Sequence, residues 1–425
     1  MFARVINDPL YGSIQLTGGA CDIVDTKPFQ RLRRIRQLGY AYLVYPSATH
    51  SRFEHPIGAY HLATVVTDRM RARGELTPDL EEHVQLARLA ALVHDVGHFG
   101  SAHLLEELEL EEADHEVVGE RWITDGPIAE VLARTGIPDA AERIAAMIRH
   151  ESDSPLASLV AGAVDVDRLD YMRRDAYYCG LPVAFQQDRL INALTLQPHP
   201  ETGRLTLMLH EKAIGSLDQM IWQRYVLYRS VYRHRVVRSA SVMARSMILL
   251  AVESGIATFR EIQSWHDDQL LAELKSRAKR HRHVAARQIV DLVDRLQYRR
   301  LYRVAAQAPI GSAPNLRSRE LRIAETRIAE MLRLEPGEAL LDIPHKPGMF
   351  EPDIYFLMKD GRVLHRSQLT EDEGFIMNTA VSALYRGAGR ISLYTAEPRK
   401  LDPSALIETI TAVAEEARLS SEVQP

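Results

Sequence analysis

The chain has 425 residues, 46% of them hydrophobic, and a formal net charge of −5. This length predicts either one large domain with an appendage or two domains, and the negative charge argues against nucleic-acid binding over the whole surface. Two cysteines, Cys21 and Cys179, cannot form a disulfide scaffold. The sequence shows no signal peptide and no apolar run near the ~20 residues of a membrane span, so we expect a cytoplasmic protein with no membrane partner.

The first three quarters of the chain read as mainly helical. Residues 1–26 predict short extended pieces and turns, which end near Gly18-Gly19. From Pro28 to Leu38, apolar residues recur every three positions and predict a helix that stops at Gly39. Apolar periodicity predicts further helices over 55–73, 79–94, 140–150, 159–174, 217–250 and 267–280.

The pattern changes near 307–314, where Pro309, Gly311 and Pro314 indicate a linker. Beyond it we expect a helix over 319–334, and then a hairpin whose strands flank Asp360-Gly361. A short strand over 391–395 and a last helix over 404–418 complete the prediction. The expected fold is therefore mainly α, with a helical core over 1–310 and a small α+β subdomain over 311–425.

Histidines cluster with acidic residues in one part of the chain. Eight of the 17 histidines fall between His50 and His115. A single histidine is more often a surface or core residue than a ligand, but His94-Asp95 ends an apolar helix just before Gly97 and His98. Mixed imidazole and carboxylate ligands suit a divalent metal of the Mn, Fe, Zn or Mg type. Together with an upstream histidine and a later Asp-x-Asp helix, this motif predicts a catalytic metal site.

Two polar stripes follow at helical spacing. The first contains Asp167, Tyr171 and Asp175 at i, i+4 and i+8, and the second contains Arg224, Tyr228 and Tyr232 at the same spacing. Arginine beside two tyrosines suits a phosphate with an adjacent sugar or base. The structural alternatives are a solvated face with Asp–Arg pairs for the first stripe and a partly buried amphipathic helix for the second.

These motifs together resemble a known family. Residues 25–62, the Ser-Arg-Phe-Glu-His segment that ends at His55, the His94-Asp-Val-Gly-His98 segment and the helix over 165–175 resemble the HD-domain deoxynucleoside triphosphate (dNTP) triphosphohydrolases. The resemblance covers roughly residues 3–305. It implies an HD-domain helical core and a metal-dependent phosphoric ester hydrolase that converts a dNTP into a deoxynucleoside and inorganic triphosphate.

The resemblance also implies roles for individual residues. One divalent transition metal (Mn, Fe or Zn) would be held by His55, His94, Asp95 and Asp167, with an additional Mg²⁺ on the nucleotide left open. The catalytic candidates are three histidines, one of which would protonate the 5′-oxygen leaving group: His98, His103 and His115. The substrate-binding candidates contact the triphosphate, the deoxyribose or the base: Gln37, Leu38, Arg52, Arg168, Tyr171, Asp175, Arg224, Tyr228 and Tyr232. Arg168 and Tyr228 depart from the lysine and histidine that close relatives often have at these positions.

A regulatory nucleotide site is implied as well. In relatives, an activating GTP or dNTP binds between subunits, so this reading predicts a homo-oligomer, either a dimer or a tetramer. The matching allosteric positions are Arg4, Val5, Asn7, Asp25, Gln30, Arg33, Arg189, Lys212, His234, Arg235 and Arg299. The structural alternative is that these residues form intersubunit salt bridges. The basic segment 275–303 fits such an interface or a solvated helix face equally well.

Two other functions compete with this reading. An HD-type phosphatase or phosphodiesterase acting on another nucleotide would share the His-Asp core, but it would not require the sugar pocket of Gln37, Leu38, Tyr171 and Asp175. A single-stranded nucleic-acid-binding protein with a vestigial metal site is the alternative from another class. The negative net charge and the lack of aromatic residues within the basic run 275–287 argue against nucleic acid as a partner.

Overall fold

The structure is a computed structural model that describes residues 3–100, 114–309, 311–344, 353–370 and 389–422. Helices dominate these ranges, and the strands form three small sheets. The mainly α class with an α+β C-terminal region is therefore confirmed. No helix in the described part of the chain combines the length and the apolar character needed to cross a membrane.

The N-terminal part begins with a β-hairpin and continues as helices. The hairpin strands are β1 (Ala3–Asp8) and β2 (Gly12–Thr17). The helices that follow are α1 (Gly19–Val24), α2 (Lys27–Arg31), α3 (Glu54–Ala72), α4 (Glu81–Val93), α5 (His115–Thr124), α6 (Pro127–Ala133), α7 (Ala140–Ile148) and α8 (Val166–Tyr178). Helix α3 packs against both α4 and α8, and this three-helix arrangement carries the candidate site.

The second part of the chain alternates helices with short strands. Its helices are α9 (Gln187–Ala193), α10 (Ile214–Leu227), α11 (Arg235–Glu253), α12 (Phe259–Ser264), α13 (Asp267–Arg280), α14 (Ala285–Gln297), α15 (Ser318–Leu332) and α16 (Pro403–Glu422). Its strands are β3 (Leu194–Pro198), β4 (Leu205–His210), β5 (Arg303–Pro309), β6 (Ala339–Asp342), β7 (Tyr355–Leu357), β8 (Val363–His365) and β9 (Arg390–Thr395).

Strand pairing joins distant parts of the chain. Strands β3 and β4 form a hairpin that the sequence reading missed, and β7 pairs with β4 in parallel, in the order β3-β4-β7-β8. Strands β7 and β8 form the antiparallel pair predicted around Asp360-Gly361. The third sheet has the order β5-β9-β6, so residues up to Pro309 lie in a strand where a linker was expected.

Two hydrophobic clusters form the core. The first is built from β2–β4 and α1–α10, and Phe356 of β7 also packs into it. The second joins α11–α14 to β5, β6, β9, α15 and α16. Residues beyond 310 therefore contribute to both clusters, and the proposed division at residue 310 stays a prediction.

The expected helix from Pro28 to Leu38 was wrong beyond its first turns. Helix α2 ends at Arg31, a 3₁₀ turn covers Leu32–Arg34, and Ile35 has extended backbone (φ −112°, ψ 118°). Arg36 then forms a β-bridge with Ser51. The local apolar spacing did not reveal this pairing because its partner lies 15 residues away.

Two other helix predictions were wrong in their extent. The segment 217–250 is not one helix, because α10 ends at Leu227 and a π-helical turn covers Tyr228–Tyr232 before α11 begins. Helix α8 begins at Val166 rather than near 159, because the Asp165 side chain caps it by accepting from the backbone N–H of Arg168.

A buried ion pair connects α11 to β6. Both side chains are almost fully buried, and the Arg238 guanidinium donates to the two carboxylate oxygens of Asp342 at 3.0 and 2.6 Å. Burial raises the pKa of Asp342, but the charge and hydrogen bonds of Arg238, together with the charges of Arg233 and Arg245, outweigh burial and leave this pKa below its ordinary value.

Replacing this carboxylate tests its structural role. We expect Asp342→Asn to lower the free energy of unfolding by about 3 kcal/mol at pH 7, because it leaves the Arg238 charge buried and poorly compensated. A carboxyl group whose folded pKa is lowered stabilises the fold above its unfolded pKa, and this stabilisation is lost as the pH falls. The difference between wild type and variant should therefore shrink below about pH 4 in urea titrations.

The matched control is Glu416→Gln, which alters the exposed bidentate pair between Arg327 and Glu416. Its effect should stay below about 1 kcal/mol, because exposed ion pairs contribute little to stability. Equal effects of the two substitutions would contradict the role assigned to the buried pair.

Candidate metal centre and adjoining cavity

Four side chains from three helices converge at one point. His55 lies in the first turn of α3, His94 and Asp95 follow the last turn of α4, and Asp167 lies in the first turn of α8. The His55 Nε2 atom lies 3.2 Å from His94 Nε2 and 2.9 Å from an oxygen of Asp167. Asp95 oxygens lie 3.9 Å from His55 Nε2 and 3.5 Å from His94 Nε2.

Both histidines present the same ring nitrogen to this point. The Nδ1 atom of His94 is 2.9 Å from the carbonyl oxygen of Ala91, and the Nδ1 atom of His55 is 2.7 Å from the carboxylate of Asp170. Because each Nδ1 has an acceptor, it carries the proton in the neutral ring and leaves the Nε2 lone pair directed at the shared point. Two imidazole nitrogens and two carboxylates fit a divalent transition metal.

Charges at the site suit a cation. Burial raises the pKa of Asp167, but hydrogen bonds from His55 and His94 outweigh burial and hold this pKa well below its usual range. For His55, burial lowers the pKa, but the contacts with Asp167 and Asp170 raise it to about 10. A divalent cation would occupy the same point as the proton that His55 shares with Asp167, because metal ligands must be deprotonated.

An ion pair supports the site from behind. Asp170 and Arg174 are fully buried, and the guanidinium donates to both Asp170 oxygens at 2.8 and 2.9 Å. Arg174 also donates to Asp8 at the end of β1, at 2.8 Å. Only glycine fits at position 58 of α3, because a Cβ atom there would lie 2.0 Å from an Asp170 oxygen. Gly58 thus lets α3 and α8 approach closely enough for His55 to reach Asp170.

Two candidate catalytic histidines lie beside the metal ligands. The His98 Nδ1 atom is 3.2 Å from an Asp95 oxygen, and the His98 ring lies against the His115 ring at 3.9 Å between centroids. A Cβ atom at Gly97 would lie 2.0 Å from the His115 carbonyl oxygen, so this glycine allows α5 to bring His115 close. The third candidate, His103, lies outside the described residues.

The metal ligands form one wall of a cavity of about 580 Å³, within the usual range for small-molecule sites. Eight of the nine predicted substrate residues line it: Gln37, Leu38, Arg52, Arg168, Tyr171, Asp175, Tyr228 and Tyr232. Asp175 accepts a hydrogen bond from the Tyr232 hydroxyl at 2.6 Å.

Two arginines of the predicted set already have partners within the protein. Arg52 donates to Asp95 at 2.7 Å. Arg168 donates to the carboxylate of Asp165 and to the carbonyl oxygen of Gly162. Both side chains nevertheless line the cavity. A phosphate group there would therefore accept hydrogen bonds from guanidinium groups that already donate to a protein acceptor.

Arg224 is the predicted substrate residue that does not line the cavity. The i, i+4, i+8 spacing assumed one continuous α-helix, whereas Tyr228–Tyr232 forms a π-helical turn. That wider turn changes the direction of the two tyrosines relative to Arg224. The positive charge of Arg224 still acts on Tyr171, where it opposes the rise in the tyrosine's pKa that burial causes.

Several residues in or behind the cavity lining were not singled out from the sequence. Asp170, which orients His55, and His50, which contacts Asp175, lie behind the lining and inside the recognised motifs, but their partners are 115 and 125 residues away. Five residues that do line the cavity have no helical periodicity that would have marked them: Arg36, Glu116, His150, Arg233 and Arg238.

None of the predicted regulatory residues lines the cavity. Arg4 forms a bidentate ion pair with Asp25 at 2.5 and 2.6 Å, and Arg33 donates to Gln30 at 2.9 Å. Arg189 donates to the backbone carbonyl of Lys212, which is also exposed. Arg299 donates to the Leu43 carbonyl. The remaining predicted regulatory residues are exposed or half-buried: Val5, Asn7, His234, Arg235 and Arg299.

Family comparisons agree with this architecture. The family model described as HD domain matches residues 52–175, and the model described as HD associated region matches residues 185–403, more than half of the chain. A hypothetical protein from Aquifex aeolicus matches 97% of this chain and all of its own, with a TM-score of 0.67 and 24% identity. A phosphohydrolase from Bacteroides thetaiotaomicron matches 93% of this chain and all of its own, with a TM-score of 0.70 and 21% identity. At these identities the two structures show a shared fold.

Curated relatives include proteins with and without a stated activity. An uncharacterized protein of Methanocaldococcus jannaschii is 27% identical over 84% of this chain and 73% of its own length. An uncharacterized protein of Bacillus subtilis is 34% identical over 58% of this chain and 55% of its own. The human deoxynucleoside triphosphate triphosphohydrolase SAMHD1 is 32% identical over 58% of this chain. That alignment spans only 44% of the human protein.

The hydrogen bond between Asp170 and His55 should contribute measurably to metal binding. We expect Asp170→Asn to weaken Mn²⁺ binding about 10- to 100-fold, because a neutral amide holds the Nδ1 proton of His55 less firmly. Calorimetric titration of chelator-treated protein measures this affinity. The control Asp175→Asn alters a buried carboxylate of the same helix that faces the cavity, and should leave the Mn²⁺ affinity close to that of the wild type. Equal affinities in both variants would contradict the role of Asp170.

Proposed function

The chain belongs to the HD-domain family with an HD associated region, and on that premise we propose that it hydrolyses dNTPs to a deoxynucleoside and inorganic triphosphate. One observation carries the proposal: the convergence of His55, His94, Asp95 and Asp167 lies in the same cavity as Tyr171, Tyr232 and Asp175. A candidate metal site and polar side chains of the kind that contact sugars thus lie in one cavity. The name of the human relative, a deoxynucleoside triphosphate triphosphohydrolase, supports this choice of substrate.

The reaction forms one phosphorus–oxygen bond, breaks another, and moves one proton net from water to the leaving group. Water adds to the α-phosphorus, the bond from phosphorus to the 5′-oxygen breaks, and a proton reaches that oxygen. A divalent cation held by the four ligands would supply Lewis-acid polarisation of the phosphoryl group. We assign the proton transfer to the histidine group of His98, His103 and His115, since imidazole titrates in the range that such a transfer needs.

The remaining cavity residues bind and orient the substrate. Arg52 and Arg168 provide positive charge for the triphosphate, with Arg224 close by. Asp175 accepts a hydrogen bond from the sugar 3′-hydroxyl, while Tyr171 and Tyr232 pack against the deoxyribose. Gln37 and Leu38 form the opposite wall, which would leave no room for a ribose 2′-hydroxyl. Tyr228 lies toward the base.

Product identification tests this function. The Mn²⁺-loaded protein is incubated with each dNTP and with each ribonucleoside triphosphate, and the products are separated by ion-pair chromatography. We expect deoxynucleoside and triphosphate from dNTPs, little turnover of ribonucleotides, and a rate at least about 10³-fold lower for Asp167→Ala, which removes a proposed metal ligand. Release of orthophosphate or a dNDP would preserve the hydrolase but overturn this reaction. Turnover of another phosphoester alone would favour the alternative HD phosphatase.

Activation by GTP or a dNTP at a second site is the finer part of the proposal. The exposed Arg4–Asp25 pair, with Gln30 and Arg33 beside it, offers a carboxylate for a guanine edge and guanidinium groups for phosphates. Such a site would be completed by a second copy of the chain, through Arg189, Lys212, His234, Arg235 and Arg299. The active form would then be a homodimer or homotetramer.

The GTP effect has a matched pair of variants. We expect Asp25→Asn to reduce the ratio of dNTP hydrolysis rates with and without GTP at least about fivefold, because the amide cannot accept both guanine donors. Asp22→Asn changes another exposed carboxylate of the same segment, which is not part of the proposed site. An identical ratio in wild type and both variants would remove Asp25 from the regulatory site.

A further inference from the structure

His50 occupies an unusual position next to the cavity. Its ring is buried, and its Nε2 atom lies 3.0 Å from one carboxylate oxygen of Asp175. The other oxygen of Asp175 accepts from the Tyr232 hydroxyl. His50 itself does not line the cavity, whereas Asp175 and Tyr232 do. The histidine ring therefore acts on the cavity through the carboxylate in front of it.

Packing fixes the His50 ring in one orientation. The Tyr178 ring stacks on it at 4.2 Å between centroids, with 6° between the ring planes. The Tyr178 hydroxyl is held in turn by a hydrogen bond of 2.6 Å to Glu54. The Nδ1 atom of His50 is buried and has no hydrogen-bond partner among the described residues, so the proton of the neutral ring belongs on Nε2. This tautomer donates to Asp175.

The backbone of the same residue contacts another part of the cavity lining. The His50 carbonyl accepts from the backbone N–H of Gln37 at 3.0 Å, next to the Arg36–Ser51 bridge. Leu38 also lines the cavity. One residue thus contacts two residues of the lining, Asp175 through its ring and Gln37 through its carbonyl.

We infer that His50 is a positioning residue for the sugar: its Nε2–H orients Asp175 so that the free lone pairs of the carboxylate meet the 3′-hydroxyl of the substrate. This inference rests on the proposed function and adds to it one residue, His50, which acts on the substrate through Asp175. Two donors, His50 and Tyr232, use one lone pair on each Asp175 oxygen, and the remaining acceptor positions are available to the cavity. His50 and Tyr232 thus fix the orientation of the remaining lone pairs, which a carboxylate without these two donors would not have.

A matched pair of amide variants separates orientation from packing. Glutamine places its amide nitrogen near the position of Nε2 and can donate to Asp175, whereas asparagine is shorter and cannot reach it. The substrates are the dNTP that the wild type hydrolyses fastest and its 2′,3′-dideoxy counterpart, which lacks the 3′-hydroxyl. Thermal unfolding of each variant shows whether the fold is retained.

For His50→Asn we expect kcat/KM to fall at least about tenfold on the dNTP but less than about threefold on the dideoxy substrate, because only the former uses the oriented carboxylate. His50→Gln should recover a large part of the difference. If His50→Asn fails to fold, His50→Gln and wild type can still be compared on the two substrates. The ratio of kcat/KM on the dNTP to kcat/KM on the dideoxy substrate should then be close to the wild-type ratio.

Several outcomes would overturn the inference. Equal losses on the two substrates would show that His50 only supports packing, and an unchanged ratio in His50→Asn would show that Asp175 is oriented without it. A collapsed ratio in a well-folded His50→Gln would also contradict the donor role. An inactive wild type on every dNTP is a different result, because it refutes the proposed function itself and this assignment with it.

Discussion

The buried chain Asp8–Arg174–Asp170–His55 is the interaction on which the rest of the site depends. Taking a guanidinium and two carboxylates out of water is costly unless each donor has an acceptor. Here Arg174 is completely buried and is satisfied by both Asp170 oxygens and by Asp8. Burial raises the pKa of Asp170, but Arg174 and His55 lower it to about 2, so this carboxylate stays ionised. An ionised Asp170 fixes the His55 ring and directs its Nε2 atom to the metal point.

This chain also explains how separate elements are joined around the site. Asp8 ends the β1 hairpin strand, Arg174 and Asp170 lie on α8, and His55 lies on α3. Gly58 gives the close approach of the two helices, and Gly97 gives the close approach of α5 with its His115. The two glycines thus allow the supporting pair and a candidate proton donor to lie close to the same metal point. The cavity is then the space that remains between these elements and the Tyr228–Tyr232 turn.

The sequence predicted structure well where the pattern is local, and poorly where it depends on a contact between distant residues. Apolar periodicity predicted α3 and α4 and the mainly α class, because the helices bury one stripe each. It extended the helix after Pro28 too far, because the β-bridge of Arg36 with Ser51 overrides the local preference. The ligands His55, His94, Asp95 and Asp167 were named from a resemblance in motif, and the structure brings them within a few ångströms of one another. The roles of His50 and Asp170 depend on partners more than 100 residues away, so no spacing rule could assign them.

The location of a bound metal tests the central claim most directly. A crystal of the Mn²⁺-loaded protein, measured for anomalous scattering, should show one ion per chain. We expect bonds of about 2.2 Å from this ion to His55 Nε2, His94 Nε2, Asp95 and Asp167. A second triad of ligand atoms, on Asp95, His98 and His115, lies next to this point. An ion held by that triad without His55 and Asp167, or a well-ordered crystal with no ion at either place, would contradict the account.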